Sequence, residues 1–318
     1  MPAVEIRDVT KRFGTLVAVN EMNLSIDREI FGLLGPNGSG KTTTVKMLTT
    51  LLTPTAGDAW ICGHSILTDP NRVREQISYV PQDMAVDPKL TGRENVLFYA
   101  KLYGIPRPRE TTDEALSLLE LGERADDLTR TYSGGMRRRL ELAQALVHDP
   151  EVLFLDEPTI GLDVAGRRRI WDHIITLKEK GMTIFVTTHY MDEADHACDR
   201  VGIIDSGTVV ASDTPAHLKA EICRDIVAIR ADGRFTGTVP DDITYLGQSG
   251  DELKFEAQSG EEAGIVLSRL LAENGMQVRS VSIRQPTLDD VFLALVGEQD
   301  ESTAFDFQRF RTMLRRRR

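Results

Sequence analysis

The chain has little cysteine, no long apolar run and no surplus of positive charge. Its three cysteines, Cys62, Cys198 and Cys223, lie far apart and are odd in number. They argue against a disulfide scaffold or a cysteine-built zinc site and suit reduced thiols in a cytosolic protein. No apolar stretch approaches the roughly 18 residues that a membrane-spanning helix requires. The opening MPAVEIRDVT lacks the basic-then-apolar pattern of a secretory leader, so a non-secreted chain is expected. Lysine and arginine number 38 against 49 aspartates and glutamates, a formal net charge of -11. An acidic surface repels phosphate backbones, which argues against broad nucleic-acid binding. Hydrophobic residues make up 41% and charged residues 27% of the 318, an ordinary globular balance. At roughly 150 residues each, that length accommodates about two domains.

The patterning divides the chain. Residues 3–26 alternate in short apolar segments, as strands do. IFGLLG at 30–35 reads as a buried strand running into a glycine-rich turn, and KTTTVKMLTTLL from Gly40 as a helix stopped by Pro54 and Gly57. ISYV at 77–80 is a further strand. Residues 92–148 have helical period in three segments and predict an all-helical insert. VLFLD, a helix over GRRRIWDHIITLKEKG, MTIFVTTH, a short helix at YMDEADHAC and a hairpin around Ser206-Gly207 follow. Alternating strand and helix predicts a mainly parallel sheet with helices on its faces. Beyond about Ala220 the rhythm changes to IVAIRA, DITYL, ELKFEA, the helix EEAGIVLSRLLAENG, the strand VRSVSIR and the helix PTLDDVFLALVG. This predicts a small α+β domain, ferredoxin-like in expectation. Thr287 and Asp290 are spaced as a capping box ahead of a face of Leu288, Val291, Phe292 and Leu295. The expected organisation is 1–220, with the helical insert at 92–148, then 221–298 and a tail at 299–318.

GPNGSGKT at 35–42 fits G-x-x-x-x-G-K-[ST] between a predicted strand and a predicted helix, the setting that this phosphate-binding motif requires. Gly35, Pro36, Asn37, Gly38, Ser39 and Gly40 form the candidate cradle, with Lys41, Thr42 and Thr43 opening the helix. The glycines let backbone N–H groups face phosphate oxygens, and the helix N-terminus adds its dipole. Lys41 is expected in a solvent-reachable loop, able to reach the β- and γ-phosphates, with Thr42 able to ligate Mg²⁺. VLFLDEP at 152–158 ends an apolar strand in two carboxylates. Asp156 at the tip is placed to hold Mg²⁺ directly or through water, and Glu157 beside it to act as general base for attacking water. Together these motifs define a P-loop NTPase. YSGGMRRRLELAQAL adds a Ser-Gly-Gly turn at a second helix start, another anion-binding terminus. One phosphate loop has no use for two such termini on one chain, whereas a second chain can supply one.

With that turn the chain resembles the ATP-binding subunits of ABC transporters over roughly residues 3–220. Gln82, Ser133, Gly134 and Gly135, then Asp156 and Glu157, then Asp163 and His189 occur in the family's order. The resemblance implies an α/β fold of ABC type, a mixed sheet core with a helical subdomain. It implies ATP and Mg²⁺ as cofactors and a head-to-tail homodimer with two ATP molecules at the interface. Ser133 and Gly135 would contact the γ-phosphate held by the partner chain. His189 would sense that phosphate, Gln82 would contact Mg²⁺ and water, and Phe13 would stack on adenine. Met136 stands where the family usually has Gln, Tyr132 where it has Leu, and Arg28 where it often has Gly. DEPTIGLD and QPTLDDVFLAL resemble the daunorubicin-resistance type. That implies a separate multispanning permease, export of a drug or other hydrophobic compound, and a peripheral place on the cytoplasmic face of the membrane. A soluble ABC ATPase acting on ribosomes or DNA is the alternative. It is disfavoured by a single motif pair and by the lack of sustained heptads. The tail carries six arginines interleaved with Phe305, Phe307 and Phe310. A solvated end and a segment docking on an anionic membrane face are both open readings of it.

Overall fold

The structure is a computed structural model that describes residues 1–83 and 85–296, so the tail at 299–318 lies outside the described residues. Contacts divide the chain into two compact units, Met1–Leu218 and the residues from Lys219 onward.

The first unit holds two sheets. β1 (Val4–Phe13), β2 (Leu16–Ile26), β4 (Ala56–Ile61) and β5 (His64–Ser65) form an antiparallel sheet in the order β2-β1-β4-β5. The second sheet comprises β3 (Ile30–Leu34), β6 (Ile77–Val80), β7 (Val152–Asp156), β8 (Thr183–Thr188), β9 (Arg200–Asp205) and β10 (Thr208–Asp213), ordered β10-β9-β3-β8-β7-β6. All its pairings are parallel except β9 with β10. β3, β7 and β8 are buried at every position. Their near-continuous apolar runs are those of strands covered on both faces. Phe31, Phe185 and Phe154 lie side by side across them, with ring centroids 5.5 and 5.6 Å apart. The antiparallel sheet contributes Val4, Ile6, Met22 and Ile61 to the same core.

The helices of this unit are α1 (Lys41–Leu48), α2 (Pro70–Gln76), α3 (Gly92–Leu102), α4 (Pro108–Leu118), α5 (Gly134–Leu146), α6 (Val164–Glu179), α7 (Met191–Ala197) and α8 (Pro215–Ile222), which runs across the division. α3, α4 and α5 pack on one another where the helical insert is predicted. The sequence pattern assigns no element to residues 56–76. There the structure has β4, β5 and α2, which the pattern misses because AGDAWI carries Gly57 and Asp58 in place of an apolar run and its partner β5 is only two residues long.

In the second unit β11 (Asp225–Ala231), β12 (Ile243–Ser249), β13 (Glu252–Ala257) and β14 (Val278–Arg284) form an antiparallel sheet ordered β12-β13-β11-β14, with α9 (Gly260–Glu273) and α10 (Leu288–Val296). This is the strand order of a ferredoxin-like sheet. Its first crossover, residues 232–242, contains no helix, so that expectation holds for the sheet and for α9 only. Val227, Ile229, Leu253, Phe255 and Leu267 make a core of the unit's own. The capping box is formed: Thr287 N–H and hydroxyl donate to Asp290, whose N–H donates to Thr287 Oγ1.

Candidate functional site

The carboxyl ends of β3, β7 and β8 are neighbours in the parallel sheet, the edge at which open α/β sheets bind ligands. From β3 the chain turns through residues 35–40 into α1. Gly40 has φ +108°, and a Cβ there would meet the Ala18 carbonyl oxygen at 2.4 Å, so only glycine fits. No side chain caps α1, which leaves its first N–H groups for an external acceptor. Ser39 is buried and its Oγ has no hydrogen-bond partner.

Lys41 is 5% exposed, not set in a solvent-reachable loop as the sequence suggests. Its ammonium donates back to the carbonyls of Gly35 (2.7 Å) and Pro36 (3.0 Å) and lies 3.8 Å from Glu157 Oε1. Burial lowers its pKa, while the charges of Glu157 and Asp156 pull it back up. Thr42 Oγ1 donates to Asp156 Oδ1 at 3.2 Å. Asp156 is 1% exposed and its Oδ2 has no hydrogen-bond partner. A buried carboxylate oxygen without a donor is the place where a cation fits. No cluster of three or more His, Cys, Asp or Glu suited to a metal occurs among the described residues. A cation here would therefore depend on Thr42, Asp156 and ligand oxygens.

Glu157 has φ +47°, a left-handed backbone uncommon outside glycine. Its N–H is held by Thr187, by the carbonyl at 3.0 Å and by Oγ1 at 3.1 Å. Glu157 Oε2 stands 3.2 Å from His189 Nδ1, an approach without hydrogen-bond alignment. Thr42, Lys41, Asp156, Glu157 and His189 thus share one site. Gln82 is exposed on the loop after β6, and no hydrogen bond joins it to this cluster among the described residues. Phe13 is 48% exposed at the end of β1, with Lys11 Nζ 5.2 Å from its ring centre, so it is not a core residue.

The Ser-Gly-Gly turn lies elsewhere. Ser133 caps α5, its Oγ accepting from Met136 N–H at 3.2 Å, so its hydroxyl proton remains to donate outward. Asp163 caps α6 by accepting from Gly166 N–H at 2.7 Å. Ser133, Gly134, Gly135 and Asp163 line a cavity of about 300 Å³ to which no residue of 35–42 contributes.

Sequence reasoning misses three partners. Thr187 Oγ1 donates to Asp156 Oδ1 at 2.5 Å while accepting from the Glu157 N–H, so one hydroxyl holds the Asp156 carboxylate and the backbone of Glu157. The only signal is a polar residue near the tip of a buried strand. Glu193 Oε2 accepts from Thr159 (2.7 Å) and Trp171 (2.9 Å), tying α7 to the segment after Glu157 and to α6. Tyr79 sits beside Asp156, and burial and then that charge push its phenol up to about 12.

A family profile described as "ABC transporter" matches residues 19–160, and one described as "ATP-binding protein DrrA1-3-like, C-terminal domain" matches 214–296. Daunorubicin resistance ATP-binding protein DrrA3 of Streptomyces coeruleorubidus is 39% identical over 310 residues, covering 93% of this chain and 96% of that protein. Nod factor export ATP-binding protein I of Burkholderia lata is 37% identical over 304 residues, covering 93% and 97%. A dimeric ATP-binding cassette in a post-hydrolysis state bound to ADP and Pi superposes with a TM-score of 0.60 at 28% identity, over 66% of this chain and 98% of that one.

Proposed function

The chain belongs to the ATP-binding subunits of ABC transporters, in their daunorubicin-resistance group, and from that premise we propose a residue-level account of how it drives export. It is an ATPase that energises export. Residues 35–43 hold the nucleotide phosphates, and Phe13 offers its exposed ring to the adenine. Lys41 exchanges its carbonyl partners for phosphate oxygens. Thr42 and Asp156, with Gln82 approaching from its loop, would hold Mg²⁺, which when bound neutralises developing phosphate charge. Glu157 takes the proton of the attacking water, and His189 steadies the γ-phosphate and the Glu157 carboxylate.

The observation that carries this reading is the separation of two half-sites on one chain. Lys41, Thr42, Asp156, Glu157 and His189 converge at one place, and Ser133–Gly135 with Asp163 line another. A head-to-tail homodimer joins the first half-site of each chain to the second half-site of its partner. No helix among the described residues is long and apolar enough to cross a membrane. In keeping with its family, the path for cargo belongs to a separate multispanning permease. The subunit then works peripherally on the cytoplasmic face. Residues 1–220 are the ATP-binding domain and 221–298 an accessory domain. The cargo class is a drug or another hydrophobic compound, a reading supported by relatives named for daunorubicin resistance and Nod factor export.

Glu157→Gln tests the account. It keeps the shape and removes the base, so ATP binding persists while phosphate release falls by about 10²-fold or more. An ATP-loaded dimer should accumulate on size exclusion. Wild-type turnover in this variant would refute the assignment.

A further inference from the structure

α5 carries a buried ion pair that touches the chain on both sides of two site residues. Arg138 is 3% and Glu141 4% exposed. Arg138 Nε donates to the Pro158 carbonyl (2.9 Å), Nη2 to the Asp156 carbonyl (3.1 Å), and Nη1 to the Pro81 carbonyl (2.7 Å) and to Glu141 Oε2 (2.9 Å). Glu141 Oε1 accepts from the Ala85 N–H at 2.6 Å. Asp156 and Pro158 flank Glu157, and Pro81 and Ala85 bracket Gln82. The guanidinium and carboxylate therefore form one hydrogen-bonded unit bridging the loop of Gln82 and the left-handed turn of Glu157.

We infer that the Arg138–Glu141 pair is a positioning device that makes the setting of the Glu157 carboxylate depend on the position of the Gln82 loop. The chemistry favours rigid transmission. Arg is planar, and its N–H groups point in fixed directions, so three carbonyls from two segments are held at once. A displaced Pro81 or Ala85 must drag the fork, leave buried carbonyls unpaired, or strand a buried charge, and the latter two are costly. A lysine has no such fork. Any displacement of the Gln82 loop would thus pull directly on the backbone that aims the base. The pair touches neither ATP nor water in this scheme and acts through Gln82 and Glu157. The inference rests on the roles given to those two residues above.

The test uses the full chain with Mg-ATP and a double-mutant design. Arg138→Met with Glu141→Gln removes the fork, keeps an acceptor for Ala85 and leaves no unpaired charge. ATP affinity should stay within about threefold while kcat falls about tenfold or more, a split that general unfolding does not produce. Gln82→Ala should lower kcat in the native background and change it less than about twofold in the neutralised one, since coupled residues are not additive. An unchanged kcat in the neutralised pair, or a Gln82→Ala effect of full size in that background, would overturn the inference. If the doubly neutral protein does not fold, Arg138→Lys carries the same comparison, with charge kept and fork lost. Should Gln82→Ala and Glu157→Gln each hydrolyse ATP at the wild-type rate, the failure lies in the site reading itself.

Discussion

Thr187 shows how much of the site rests on one hydroxyl. It donates to the Asp156 carboxylate and accepts from the N–H of Glu157, whose backbone sits in a left-handed conformation. Thr187→Val keeps the β-branched shape and removes both contacts. Hydrogen bonds to charged groups contribute about 1.5–3 kcal/mol, so kcat should fall roughly tenfold while ATP affinity changes little. Phosphate-release kinetics and a nucleotide titration check this, and a wild-type kcat would deny Thr187 the role. Motif residues such as Lys41, Thr42, Asp156 and Glu157 are legible in the sequence because local spacing alone marks them. Thr187 is not, since its partners lie on the next strand, 30 and 31 residues back. The burial of Lys41 is likewise invisible, because it depends on carbonyls folding back over its ammonium and on carboxylates at a different strand end.

At the scale of elements, the turn into α1 and the cap of α10 each rest on a particular residue. Gly40→Ala places a Cβ against the Ala18 carbonyl in a conformation that alanine avoids. A cost of about 2 kcal/mol or more follows, roughly 4–8 °C in Tm for a unit of this size, together with a large loss of ATP affinity. Calorimetry and a binding titration read both, and an unshifted Tm would contradict the close approach. Thr287→Ala removes the cap of α10 and should cost about 1 kcal/mol. Burial raises the Asp290 pKa, but bonds from Thr287 and the charge of Arg284 outweigh it, and the net shift is downward. A carboxylate with a depressed folded pKa adds stability that is full above its unfolded pKa of about 4 and is lost as pH falls through the lower folded value. The Thr287→Ala penalty should therefore shrink in strong acid, as melting curves across that range would show. The strong periods of α5, α6 and α9 and the apolar runs of β3, β7 and β8 are readable in the sequence. The region of β4, β5 and α2 is not, because AGDAWI has no apolar run, β5 is two residues long, and the pairing of β4 with β1 is non-local. The helix-free crossover at 232–242 agrees with a pattern that offers no helix between IVAIRA and DITYL, whereas the strand order is silent because it depends on which edges meet and not on local pattern.

Over the whole molecule, the proposed function needs a second chain to complete the site. One chain holds Lys41, Thr42, Asp156, Glu157 and His189 together, and it holds Ser133–Gly135 in a separate cavity with Asp163. The doubling of anion-binding helix starts is visible in the sequence, whereas their separation required the fold. The most direct measurement is a cross-link between chains. Asn37 is exposed on the phosphate loop and Ser133 is exposed at the cap of α5. Asn37→Cys chains mixed with Ser133→Cys chains, both also carrying Glu157→Gln and given Mg-ATP, should form a disulfide-linked heterodimer under mild oxidation. Each chain alone should give none through these positions, with the native cysteines controlled by the parent protein. A heterodimer found only in the mixture, and only with ATP, is the result predicted. No cross-link in the mixture, from chains that bind ATP and dimerise, would contradict the head-to-tail site.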